Sequence, residues 1–237
     1  FYLNFFSYPA LLWVLLLYSK NKIVSFNLGW IFGFGFFISN LYWLTNSLTF
    51  EDIFKTLIPF ALILIPLFLG IFYGISTLVF SLLNPKKNIL SILILGTTLS
   101  LSEYLRSFIF GGFPWNLISF SFVNYLEFIQ ILSITGTYAF NSIIILIFLI
   151  PVILFFNYKK NIKLSIFFFS IIFFSINHFW GKSNLERYEL NEKKDLGFTV
   201  KIISPKINIK RFFQNEDPIE FITELIDMSK PNPSNKT

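Results

Sequence analysis

Three long stretches of this sequence contain no charged side chain, and they restrict the chain to one structural class. Ile23–Phe50, Leu57–Leu83 and Phe128–Tyr158 each exceed the roughly 20 residues that an α-helix needs to cross about 30 Å of hydrocarbon. Phe1–Ser19 and Leu164–Gly181 are shorter candidates of the same kind. Hydrophobic residues make up 54% of the chain and charged residues 14%. We therefore predict a mostly α-helical protein, a polytopic transmembrane helix bundle.

The charged residues between the predicted spans alternate in kind. Every second connection holds lysine as its only charged residue: Lys20, Lys22, Lys86, Lys87, Lys159, Lys160 and Lys163. Because loops rich in Lys and Arg stay on the cytoplasmic side, we place these connections in the cytoplasm. Residues 1–181 are then expected to form the bundle, with about six spans including Asn88–Phe110. Residues 182–237 are expected to lie on the extracytoplasmic side.

The tail has a different character from the predicted spans. Gly197–Ser204, "GFTVKIIS", alternates apolar and polar residues, which predicts a half-buried strand. In "DPIEFITELIDMSKP", Asp217 is a suitable N-cap, Pro218 fits the first helical turn, and Pro231 ends an amphipathic helix. One strand and one helix bury too little apolar area to fold alone, so we predict the first strand and helix of an incomplete α/β domain.

The residue inventory excludes several kinds of chemistry within this chain. The absence of cysteine rules out disulfides, thiolate metal sites and a cysteine nucleophile. A single histidine, His178, is better explained as an interfacial residue than as a metal ligand. We expect no cofactor and no metal site. The chain begins at Phe1 and has Met228 as its sole methionine, and we expect it to be a fragment of a longer protein.

One stretch, "SEYLRSFIFGGFPWN" (Ser102–Asn116), carries charges that an apolar chain should avoid. Glu103 and Arg106 are neighbours on a helix and can form an ion pair. Two explanations stay open: Arg106 snorkels to the headgroups with Glu103 as its partner, or it binds a phospholipid phosphate. Trp115 suits the headgroup layer. The candidate lipid or substrate contacts are Glu103, Arg106, Trp115 and Asn116.

The same stretch resembles the signature of the apolipoprotein N-acyltransferase family. That signature is glutamate, two residues and arginine, then Gly-Phe-Pro-Trp-Asn, which here reads "GFPWN" at 112–116. "GWIFGFGFFISNLYWL" resembles the family's second apolar block, and "EFIQILSITGTYAFNSIIILI" the block that follows the signature. "VKIISPKINIKRFF" resembles the first strand and loop of the family's nitrilase-like domain.

The resemblance implies a function. The family moves an acyl chain from a phospholipid to the N-terminal diacylglyceryl-cysteine of apolipoproteins, using a Glu, Lys and Cys of a nitrilase-like domain on the periplasmic side of the bacterial inner membrane. Those catalytic residues are expected beyond Thr237, so the fragment alone is expected to be inactive, and its start is expected to lack the family's first span. Phospholipid, apolipoprotein and membrane lipids are the expected partners, with no nucleic acid and a monomeric state.

Two other functions compete with acyl transfer. The chain could be a multi-span transporter, for which kinked and glycine-rich spans argue weakly, since no internal repeat is present. It could also be a non-catalytic membrane anchor, which gives no reason for Glu103 and Arg106. Gly29, Gly33 and Gly35 are interpreted as sites where another helix approaches closely, in preference to a ligand loop.

Overall fold

The computed structural model describes residues 2–18, 20–109, 116–191, 202–204 and 218–230, and this part of the chain is mostly helical. The α-helices are α1 (Asn4–Tyr18), α2 (Lys22–Leu41), α3 (Asp52–Lys55), α4 (Ile58–Leu82), α5 (Ile89–Arg106), α6 (Leu126–Ile129), α7 (Leu132–Thr135), α8 (Thr137–Leu149), α9 (Lys160–Asn191) and α10 (Pro218–Ser229). Three 3₁₀ segments accompany them: Tyr42–Thr49 directly after α2, Ile118–Phe122, and Ile150–Phe155 directly after α8.

Five helical stretches in the described part are long and apolar enough to cross a membrane: Lys22–Thr49, Ile58–Leu82, Ile89–Arg106, Thr137–Phe155 and Lys160–Leu190. The prediction of a bundle of membrane helices is confirmed. Of the six expected spans, the first is the exception. Helix α1 has 15 residues, which at 1.5 Å per residue covers about 22 Å. That length falls short of the roughly 30 Å of hydrocarbon.

The predicted span Phe128–Tyr158 is too long at its start. The structure breaks it into α6, α7 and α8, and the membrane-length helix begins at Thr137. The break between α7 and α8 falls at Gly136, whose positive φ of 75° is a conformation that favours glycine. At the other end the helix tightens into the 3₁₀ segment at Pro151, which has no N–H to continue the α-helical pattern.

Helices α2 and α4 pack along a seam of glycines. A Cβ atom added to Gly33 would lie 2.9 Å from the Cα of Gly70 and 2.8 Å from the Cβ of Tyr73. Gly74 is equally close to the ring of Phe26. Small residues four apart on each helix therefore bring the two backbones together, as is common between membrane helices.

Hydrogen bonds cross the same seam. The Trp30 indole N–H donates to the Leu67 carbonyl at 2.8 Å. The Thr77 hydroxyl donates to the Ser25 carbonyl at 2.8 Å, opposite Gly29. The interpretation of Gly29 as a packing position is thus confirmed. Gly35 has open space around it, so the same interpretation is wrong for that residue.

Helix α1 packs against α2, α5, α8 and the 3₁₀ segment Ile150–Phe155. Tyr8, Leu12 and Leu15 of this helix are fully buried, and the Tyr8 ring packs edge-on against Phe32 of α2 at 5.2 Å. Helix α9 lies at the periphery. It contacts α6 where the Asn177 amide donates to a carbonyl of that helix and Gly181 meets its backbone. The short α1 is thus a central element of the core.

The tail is described in part. Helix α10 matches the amphipathic helix that the sequence predicts, and Ile219, Ile222 and Ile226 of its apolar stripe are exposed. Of the predicted strand, 202–204 adopt no regular secondary structure and the rest lies outside the described residues. The α/β domain therefore stays a prediction, as does the division of the chain at residues 181 and 182. Helix α9 continues to Asn191.

Candidate functional site: a buried carboxylate beneath an amide-lined cavity

Glu103 lies in the last turn of α5, inside the bundle, and is fully buried. The Tyr73 hydroxyl of α4 donates to Glu103 Oε1 at 2.6 Å. The Asn141 amide of α8 donates to Glu103 Oε2. Both carboxylate oxygens are therefore held by donors from other helices. A buried carboxylate in an apolar bundle requires such donors because an unsatisfied charge there is strongly destabilising.

The hydrogen bonds continue in two directions from this carboxylate. The hydroxyl oxygens of Tyr8 and Tyr73 lie 3.4 Å apart, which brings α1 into the network. On the other side, Asn141 Oδ1 accepts the backbone N–H of Ser119 at 3.0 Å. We call these five residues, Tyr8, Tyr73, Glu103, Ser119 and Asn141, the Glu103 network. It ties α1, α4, α5 and α8 to the 3₁₀ segment Ile118–Phe122.

Arg106 is buried beside the network, with a relative exposure of 1%. Its guanidinium carbon lies 5.0 Å above the ring of Phe37, a cation–π distance. Phe37 in turn meets the Tyr73 ring edge-on, with 5.6 Å between centroids. Arg106 lies one helical turn after Glu103 on α5. A side chain buried to this extent does not snorkel to the headgroups, and that explanation of Arg106 is wrong.

Asn116 is the last residue of the signature and the first described residue after 109. Its φ of 63° is in the left-handed region, which asparagine tolerates better than most residues. The side-chain nitrogen Nδ2 is buried and has no hydrogen-bond partner among the described residues. Trp115, the other candidate in this segment, lies outside the described residues.

A cavity of about 790 Å³ opens beside Asn116, between the start of α1, the end of α2 and residues 116–124. We call it the amide cavity. Its polar lining consists of uncharged amides and hydroxyls: Asn4, Ser7, Ser39, Asn40, Asn116, Ser121 and Asn124. Its apolar lining includes Leu3, Ile31, Phe32, Phe36, Leu117, Ile118 and Phe120. No charged side chain is among the described residues that line it.

The amide cavity and the Glu103 network share one element. Ser119 is bound through its backbone to Asn141, while Ile118, Phe120 and Ser121 of the same 3₁₀ segment form part of the cavity wall. The carboxylate thus fixes the segment that shapes the cavity. The four candidate residues are not all brought together: Glu103 and Arg106 are in the core, and Asn116 lines the cavity.

Comparison with known proteins decides the family. Residues 1–150 match the model of the apolipoprotein N-acyltransferase N-terminal domain. The chain belongs to this family. The matched region contains all of the Glu103 network and the residues of the amide cavity.

Individual relatives support this assignment over more of the chain. An apolipoprotein N-acyltransferase of Allorhizobium ampelinum is 28% identical over 243 residues, covering 98% of this chain and 44% of the relative. One from Brucella suis is 26% identical, covering 99% and 45%. One from Rhizobium rhizogenes is 34% identical over 132 residues, covering 55% and 24%. The chain thus spans less than half the length of these family members.

Sequence reasoning missed most of the network around Glu103. Tyr8, Tyr73 and Asn141 are polar groups inside predicted apolar stretches, whereas Ser119 lies in a connection between two of them. An amide such as Asn141 within a span is the signal that could have drawn attention. The sequence pointed to the charged pair in this family's signature. It did not show that the carboxylate is bound from two other helices.

Proposed function

We propose that this chain is the membrane domain of an enzyme that transfers an acyl chain from a phospholipid to the N-terminal diacylglyceryl-cysteine of apolipoproteins. The family match and the similarity along nearly the whole chain support this proposal. The observation that carries it is the buried carboxylate of Glu103, the first residue of the signature, which is bound by Tyr73 and Asn141. A passive anchor gives no physical reason to bury this charge.

We assign the chemistry to the Glu, Lys and Cys of the nitrilase-like domain that the family resemblance implies. A cysteine thiolate attacks the phospholipid ester carbonyl, a thioester forms, and the lysophospholipid leaves with a proton. The α-amino group of the lipoprotein then attacks the thioester, an amide forms, and the thiol is restored with loss of the amine proton. A carboxylate and a lysine handle these protons and the developing oxyanion.

Within this chain we assign the four candidate residues to two roles. Glu103 and Arg106 position the end of α5, because both are buried and held by other helices. Asn116 and Trp115 are the proposed lipid contacts, since Asn116 lines a cavity and Trp115 suits the headgroup layer. The substrate would thus meet the segment that α5 and the Glu103 network hold in place.

The location follows from the charge pattern. With the lysine connections in the cytoplasm, the end of α5 faces the opposite side of the bacterial inner membrane. The residues after Gly181 are then periplasmic, where a nitrilase-like domain would meet lipoproteins. We propose that the enzyme acts there as a monomer.

Complementation tests the proposal. The reading frame that contains this chain is expressed in a bacterium depleted of its own N-acyltransferase. The expressed frame continues past the codon for Thr237 for as long as it stays open. Mass spectrometry of a lipoprotein N-terminus should then show a third acyl chain. Inserted protein with no added acyl chain would refute the proposal. The same reading frame should encode a Glu, a Lys and a Cys at nitrilase spacing, and a stop codon directly after Thr237 would favour a non-catalytic anchor.

A further inference from the structure

The amide cavity has the composition of a lipid site at the membrane–water boundary. It combines an apolar wall with seven uncharged polar side chains in a volume within the roughly 300–1,000 Å³ range of ligand pockets. Leu3 and Ile31 at its edge are 79% and 65% exposed. In a membrane protein, exposed apolar side chains of this kind face hydrocarbon, so the cavity is accessible to lipid.

The polar side chains indicate which part of a lipid fits. Asn116 Nδ2 is buried, carries two N–H donors and has no acceptor among the described residues. A buried donor in this state calls for an acceptor from a ligand or water. Because no charged side chain is found in the described lining, a neutral acceptor suits the cavity better than a phosphate.

Other lining residues already use part of their hydrogen-bonding capacity on backbone carbonyls of this chain. Asn40 Nδ2 donates to the Phe36 carbonyl at 2.7 Å, and Ser39 donates to the Gly35 carbonyl at 2.7 Å. Ser121 donates to the Ile118 carbonyl at 2.7 Å. These bonds fix the orientation of the polar wall. They do not involve Asn116, whose buried Nδ2 has no acceptor among the described residues. The strongest recognition element is therefore the Asn116 amide.

We propose that the amide cavity binds the glycerol ester region of a membrane glycerolipid, with an ester carbonyl accepting from Asn116 Nδ2. The apolar wall takes the first methylenes of the acyl chains, and the hydroxyls and amides take the remaining ester oxygens. This chemistry is shared by the two substrates of the proposed function, on which this choice of lipid rests: a diacyl phospholipid and a diacylglyceryl group attached to cysteine. Bound lipid would rest against the 3₁₀ segment that the Glu103 network holds.

Photolabelling in nanodiscs tests the site on the intact protein. The probes carry a diazirine beside the glycerol linkage: a diester phosphatidylcholine, its diether analogue and a diester diacylglycerol. Digestion and mass spectrometry should place the label of the diester probes on peptides containing residues 2–7, 36–40 and 116–124. The diether probe, which lacks carbonyl acceptors, should label them at least about fivefold less, as the loss of one hydrogen bond of about 1 kcal/mol implies.

Matched variants decide whether Asn116 recognises the ester. Asn116→Asp keeps the shape and the left-handed preference but removes the donor, and should reduce diester labelling by about fivefold or more. Asn46→Asp makes the same charge change at an exposed site outside the cavity and should leave labelling unchanged. If Asn116→Asp does not fold, Asn40→Asp tests the same wall at an exposed position and should also reduce labelling.

Several results would overturn the proposal. They are equal labelling by the diester and diether probes, label that does not concentrate in the three peptides, and equal labelling of the Asn116→Asp and Asn46→Asp proteins. Labelling by both diester probes supports recognition of the ester region that the two lipids share. Labelling by one of them supports the site and shows whether a phospholipid or a diacylglycerol binds there. No acyl transfer is needed for the measurement. If the protein labels as expected but fails complementation, the lipid site is therefore supported and the proposed enzyme function is refuted.

Discussion

Tyr73 and Glu103 are thirty residues apart in the chain, and a 2.6 Å hydrogen bond joins them between α4 and α5. Both side chains are fully buried. Because Tyr73 also lies against Gly33 of α2, the residue that binds the carboxylate is the one that α2 packs upon. Tyr73 therefore belongs both to the glycine seam and to the Glu103 network.

Removing the Tyr73 hydroxyl should destabilise the bundle. In Tyr73→Phe the ring contacts with Phe37 remain, while Glu103 Oε1 loses its donor at a fully buried position. Hydrogen bonds to charged groups contribute about 1.5–3 kcal/mol, and we expect a loss of that size. Thermal unfolding in detergent measures it. Tyr104→Phe, at a tyrosine that is 44% exposed, is the matched control and should unfold like the parent; equal melting temperatures for the two variants would contradict the prediction.

Asn141 should control the rigidity of the 3₁₀ segment beside the cavity. Asn141→Leu removes the acceptor for the Ser119 N–H and the donor for Glu103 Oε2. Losing about 1–2 kcal/mol of local stability corresponds to amide exchange about 5–30-fold faster at Ser119. Hydrogen exchange followed by mass spectrometry over residues 116–124 measures the change. Ser142→Ala, one position further along α8, should leave the exchange rate unaltered, and a parental rate in Asn141→Leu would show that the segment is held in another way.

The sequence was informative wherever a single residue carries the signal. Charge is so unfavourable in hydrocarbon that Glu103 and Arg106 stand out without any knowledge of their neighbours. The partner Tyr73 does not stand out, because a tyrosine in a span can equally face lipid, and the choice depends on how α4 rotates against α5. Gly29 and Gly33 predicted close packing for a similar local reason, but nothing in the sequence identified α4 as the helix opposite them.

The missed break at Gly136 has a different cause. Hydropathy measures only how apolar a stretch is, and Phe128–Tyr158 is apolar throughout. A left-handed glycine changes chain direction without changing hydropathy. The burial of Arg106 was missed for a related reason, since exposure depends on Phe37 of α2, which is remote in sequence.

We expect a side chain to be destabilising at Gly33, which lies in the glycine seam, and to be tolerated at Gly35, which has open space around it. In Gly33→Ala the new methyl group would lie 2.8 Å from Tyr73 Cβ and 2.9 Å from Gly70 Cα, so α2 and α4 must separate. Overpacking of this kind costs about 1–3 kcal/mol. Gly35→Ala meets open space and gains helix propensity of about 0.5–1 kcal/mol. Thermal unfolding should therefore shift down for the first variant and not for the second; two equal shifts would rule out the close approach.

Arg106 and Glu103 should be energetically coupled. Both side chains are buried one helical turn apart on α5. Removing one charge therefore leaves the opposite charge less compensated, and removing both should cost less than the sum of the two single losses. We expect Arg106→Met to destabilise the protein strongly and Arg106→Met combined with Glu103→Gln to recover part of that loss, with a coupling of about 1–3 kcal/mol. A double-mutant cycle on thermal unfolding measures the coupling. Additive effects would mean that Arg106 is stabilised by the Phe37 ring and its other surroundings, independently of the carboxylate.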